Sequence, residues 1–88
     1  MRNTQIINLE FHVLWRSPVF VRMGKGPRER VDGPDVALGI LLRRWPETSS
    51  RQYLEAKRRC LDALVRHGSA EVARERFVEA AIATRIFA

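Results

Sequence analysis

Residues 31–46 read VDGPDVALGILLRRWP, and the architecture of the 88-residue chain turns on them. Asp32-Gly33-Pro34-Asp35 is a helix start: Asp or Gly as the cap, proline in the first turn, and an acid near the positive end of the helix dipole. Ala37, Leu38, Leu41 and Leu42 then form an inward stripe, widened by Val36 and Ile40, so this helix is expected to be central. Arg43 and Arg44 close it at the negative end of the dipole. Trp45 precedes Pro46 and is thereby biased out of helical geometry, which ends the element.

Upstream of this stretch the period of the apolar residues is two. Ile7, Leu9, Phe11, Val13 and Trp15 alternate as a half-buried strand over 7–15 requires. Ser17-Pro18 breaks the run, and residues 19–23 read as a second strand. Gly24-Lys25-Gly26-Pro27 is a turn, and residues 28–31 form a short third strand. Downstream the period is helical. Ser49 and Gln52 stand at capping-box spacing before a second helix. Its face is Tyr53, Ala56, Cys60, Ala63 and Leu64, extended by Leu54, Leu61 and Val65. Gly68 offers a left-handed stop, and Ser69 caps a third helix whose face is Ala70, Ala73, Phe77, Ala80, Ala81 and Thr84. The expected fold is a single α+β domain over 1–88, an N-terminal antiparallel β-hairpin or three-stranded meander followed by three packed α-helices.

Composition sets the class. Hydrophobic residues at 45% and charged residues at 30% suit a soluble globule. The apolar run 36–42 is too short to span a bilayer. Asn8 and Glu10 interrupt any signal-peptide core, and the lone Cys60 excludes an intramolecular disulfide, so a cytoplasmic location is expected. The net charge of +6 is concentrated in two islands: Arg16, Arg22, Lys25, Arg28 and Arg30 against Glu29, and Arg51, Lys57, Arg58, Arg59 and Arg66 against Glu55 and Asp62. Such islands fit a polyanion, and they fit a solvated surface equally.

From Trp15 to Ile86 the chain resembles the small bacterial proteins catalogued as domain of unknown function 982. The resemblance rests on SPVFVRMGKG (17–26), VDGPDVALGILLRRWP (31–46), YLEAKRRCLDAL (53–64) and SAEVARERFVEAA (69–81), in that order. It implies a compact hairpin plus three-helix domain with no established activity, cofactor or partner. Gly33 stands where the family pattern has a Ser cap, and residues 1–14 lie outside the resemblance.

No constellation for catalysis emerges. Cys60 and His67 are about 10 Å apart along one helix, too far to pair. Two histidines and one cysteine make no metal set, GKG at 24–26 lacks the phosphate-loop spacing, and capping explains Asp32 and Asp35. Cys60 falls on an apolar arc where an inert thiol is expected, and a thiol-dependent enzyme or redox sensor there is the third reading. On the second helix Glu55–Arg59, Arg58–Asp62 and Asp62–Arg66 have ion-pair spacing; Trp45 and Tyr53 are expected in the core, and Lys57 falls within the apolar arc.

Two surfaces remain. Two hairpin registers are open: with Arg22 facing Glu29 the charge is locally paired, but Arg28 and Arg30 then share the side of Val21 and Met23. With Val21 facing Val31 and Arg22 facing Arg30, the register that burial of Val21 and Met23 favours, the hairpin presents Phe20, Arg22, Arg28 and Arg30 on its outer face with Lys25 at the turn, a pattern suited to polyanion binding. Ile7, Leu9, Phe11 and Val13 suit self-association, since a long edge strand with little charge invites pairing. The chain is therefore read as a non-enzymatic binding module without cofactor, whose partner is another protein or a second copy. A nucleic-acid-binding accessory protein is the alternative, and neither a membrane nor a small-molecule substrate is expected.

Overall fold

The structure, a computed structural model, describes residues 13–88. Strands β1 (Val19–Arg22) and β2 (Arg28–Val31) pair antiparallel, with Val19, Val21 and Val31 buried on the inner face. β-branched residues on one side of a pleat are what a half-buried sheet demands. The faces are those expected from the alternation, but the register differs by two residues. Val19 lies opposite Val31 and Arg22 opposite Arg28, in place of the Val21–Val31 and Arg22–Arg30 pairs. A shift of two leaves every side chain on its own face, so burial does not discriminate between the registers. The turn does: Gly24 adopts a positive φ of 55° and Gly26 N–H donates to the Met23 carbonyl at 2.9 Å, which brings Arg28 back beside Arg22.

Residues 13–15, the described end of the strand expected over 7–15, are irregular; Ile7, Leu9 and Phe11 lie outside the described residues. Trp15 N–H donates to the Asp32 carbonyl at 2.8 Å and its ring enters the core. Val13 is half-buried, and its carbonyl oxygen occupies the space that a Cβ on Gly33 would need. The close approach leaves no room for a Ser cap there. At the other end of the chain, Arg85 turns left-handed at φ 66° and the tail runs beside β1, on the side away from β2. Arg22 N–H donates to Ile86 O at 2.8 Å and Ala88 N–H to Phe20 O at 2.9 Å.

Helix α1 (Pro34–Arg43) starts at Gly33 with Pro34 in its first turn and Asp35 near its N-terminus. Its buried residues are Pro34, Ala37, Ile40 and Leu41. Leu42, expected inward, is exposed, because a stripe phased on Ala37, Ile40 and Leu41 places the next residue 100° round the helix. Helix α2 (Arg51–Val65) is capped by Ser50, whose Oγ accepts from Tyr53 N–H at 3.0 Å; Ser49, the expected cap, bonds Glu47 instead. The left-handed residue after α2 is His67 at φ 58°, not Gly68, which is pressed against Asp62 and donates its N–H to the Asp62 carbonyl at 3.0 Å. Helix α3 (Ala70–Thr84) is capped by Ser69 as expected.

α2 packs against α1 and α3, and α3 lies under β1. Phe77 is fully buried between Trp15 and Trp45, with ring centroids 5.8 and 5.5 Å away, and Trp45 in turn packs against Tyr53. The Tyr53 hydroxyl donates to the Leu41 carbonyl at 2.9 Å, so its one polar atom is satisfied inside the core. The hairpin is fixed to the helices by Glu29 and Arg44, which meet through two hydrogen bonds of 2.9 and 2.6 Å. The loop before β1 is held to α3 by Arg74, which donates to the Ser17 and Pro18 carbonyls.

Candidate functional site

The inner valines fix which hairpin side chains face solvent. Phe20, Arg22, Arg28 and Arg30 share the outer face, and Lys25 is exposed at the turn. The expected five are thus brought together, but not on equal terms. The Arg28 guanidinium lies over the Phe20 ring, 3.9 Å from its centroid. Arg30 Nε donates to Asp32 at 2.6 Å, so its charge is locally answered. Arg22 N–H is engaged with the tail, which makes Arg22 and Arg28 the closely approaching, non-hydrogen-bonded type of cross-strand pair. Glu29, between Arg28 and Arg30 in sequence, faces the other way to Arg44; that hydrogen bond holds its carboxyl below the usual carboxylate value. Among the described residues no carboxylate pairs with Arg22, Lys25 or Arg28.

A second surface lies on α2. Tyr53, Ala56, Cys60 and Ala63 are buried as expected, but Leu54, Leu61 and Val65 do not extend that face: they are 50%, 46% and 62% exposed. At 100° per residue, Leu54, Arg58, Leu61 and Val65 fall within an arc of about 60° on the opposite side of the helix. The signal was present in the sequence as the 7 and 4 spacing of these aliphatics, distinct in phase from the buried set. Of the three expected ion pairs on this helix only Glu55–Arg59 forms, at 2.7 Å. Arg58, Asp62 and Arg66 make no side-chain hydrogen bond or ion pair among the described residues. Lys57 lays its ammonium 5.4 Å from the Tyr53 ring centroid, at the edge of the core.

Cys60 is wholly buried, and loss of solvation pushes its thiol up to about 12, so it is protonated at neutral pH. No group of three His, Cys, Asp or Glu among the described residues could hold a metal ion, and no described helix is long and apolar enough to cross a membrane. An open depression lined by Asp35, Val36, Gly39, Ile40, Arg43 and Arg44 lies along α1.

An antiparallel hairpin followed by three helices, closed by a C-terminal tail against β1, defines a small α+β domain. The family model for the protein of unknown function DUF982 matches residues 17–88, and the chain belongs to that family. No curated protein and no solved structure matches the chain.

Proposed function

We propose that this protein is a small non-enzymatic interaction module that self-associates through the outward face of α2. The observation that carries the proposal is the stripe of Leu54, Leu61 and Val65, about half exposed, on the side of α2 opposite its core face. Exposed apolar residues scattered singly need no explanation, whereas a phased row along one helix marks a docking seam.

A second copy is the occupant whose charges fit. With two α2 helices antiparallel about a dyad between Arg58 and Leu61, Leu54 meets the other copy's Val65, and Arg58 packs its stem on Leu61. On the flank of the same seam, Arg58 falls beside Asp62 of the other copy and Glu55 beside Arg66, each contact occurring twice. These contacts include Arg58, Asp62 and Arg66, which make no ion pair within their own copy among the described residues. A parallel arrangement would set Arg58 against Arg58. Burying the remaining halves of six aliphatic side chains contributes about 1 kcal/mol each, and exposed ion pairs add up to about 1 kcal/mol apiece. Association itself costs about 4 kcal/mol or more, so the dimer is weak, dissociating in the high-micromolar to millimolar range.

Charge reversal tests the geometry. Arg58→Asp gives a seam with acids at both 58 and 62, and Asp62→Arg one with cations at both. Each variant alone should self-associate less than the unaltered protein, while an equimolar mixture should form the mixed dimer, which regains both pairs. A mixture that associates no better than either variant alone would remove the proposed seam.

A further inference from the structure

We infer that the outer face of the hairpin is a second binding site, for the phosphodiester backbone of a duplex nucleic acid, on a surface separate from the α2 seam. The argument starts from a cost. Arg22 and Arg28 are directly opposite each other in the closely approaching type of cross-strand pair, with Cα atoms about 4.5 Å apart. Like charges in that position weaken a hairpin. Among the described residues the neighbouring acids are committed elsewhere, Glu29 to Arg44 and Asp32 to Arg30. A fold that sets two guanidiniums against each other on an exposed strand pair, with Lys25 at the adjoining turn, is completed by an anion from outside.

Three details give that anion its class. The face is an open sheet surface rather than a cavity, so it suits an extended polyanion over a free phosphate. Arg28 already covers the Phe20 ring, so the aromatic is not offered to a base and contact runs through phosphates. Met23, the one large apolar residue of the turn, packs against the core, so the hairpin carries no side chain to insert into a lipid surface. Arg30 is neutralised by Asp32, leaving Arg22, Lys25 and Arg28 as three phosphate contacts. Binding is therefore weak, independent of base sequence and steeply salt-dependent.

The test is fluorescence anisotropy of a labelled mixed-sequence DNA duplex across a salt series. Three contacts give a slope of log K against log salt of about −2.7, or about a fortyfold loss of affinity between about 50 and 200 mM salt. Arg22→Gln and Lys25→Gln should each flatten the slope by about one contact. Arg43→Gln on α1, a control with the same change in charge, should leave it unchanged. A slope shallower than about −1, or a control that lowers it as far as Arg22→Gln does, would overturn the inference. So would tighter binding of single-stranded RNA that is lost in Phe20→Leu, which would mean base stacking. Binding to phosphatidylserine vesicles without binding to the duplex would overturn it in favour of a membrane.

Discussion

Phe77→Ala should remove most of the stability of this domain. Phe77 has no exposed surface and sits between Trp15 and Trp45, so its deletion leaves a void bounded by two large rings that cannot collapse into it. Such a truncation costs about 3–5 kcal/mol, against a total for a chain of this length of about 4–13 kcal/mol. The assay is urea unfolding followed by tryptophan emission and by far-ultraviolet circular dichroism. The two indoles whose packing is disturbed are the fluorophores, so the native emission itself should shift. With a urea dependence of about 1–3 kcal/mol per molar, the midpoint should fall by about 2 M. Phe77→Leu, which keeps most of the volume, should cost less than about 1.5 kcal/mol. A Phe77→Ala protein destabilised by less than about 1 kcal/mol, with unchanged native emission, would refute this account of the core.

Other outcomes follow from the caps, the thiol and the carboxylates. Ser50→Ala should cost about 1 kcal/mol in thermal or urea unfolding, and Ser49→Ala much less, because only Ser50 accepts from the backbone of α2. Cys60 should react with a thiol reagent far more slowly in the folded protein than in the urea-unfolded chain; rapid labelling of the folded protein would contradict the burial of the sulfur. Glu29 is held below the usual carboxylate value of 4.5 by its hydrogen bond to Arg44, so its contribution is full above that pH and lost as pH falls through the depressed folded value. Urea midpoints measured from pH 6 downward should therefore decline below about pH 5, and less so in Glu29→Gln; an identical decline in the variant would show that the pair contributes nothing.

The parts of the fold that were legible in the sequence are those fixed by local chemistry. Gly33-Pro34-Asp35 starts α1 and Ser69 starts α3 because capping depends on neighbours within one turn. The alternation of Val19, Val21 and Val31 fixed the faces of the hairpin, and with them the exposure of Arg22 and Arg28. Register was harder, since parity is unchanged by a shift of two residues and only the backbone at Gly24 decides it. The tail at Ile86–Ala88 carries no strand pattern of its own; it joins the sheet because Arg85 reverses the chain beside β1. Ser50 rather than Ser49 caps α2: Ser49 is engaged with the Glu47 carboxylate, a contact that helix spacing does not reveal, while Ser50 Oγ accepts from Tyr53 N–H. For the candidate surfaces, composition alone could not separate Leu54, Leu61 and Val65 from the core, because a small domain has apolar residues on both sides of α2 and only the packing of α1 and α3 assigns the inward one.

Sedimentation equilibrium of the unaltered protein and of Leu61→Glu, from low micromolar to millimolar concentration, tests the self-association claim most directly. The weight-average mass of the unaltered protein should rise from monomer towards dimer across that range. Leu61→Glu, which places a charge at the centre of an exposed stripe without touching the core, should remain monomeric with its helical circular dichroism intact. A protein that stays at the monomer mass throughout, or a Leu61→Glu variant that associates as readily as the unaltered chain, would contradict the proposal.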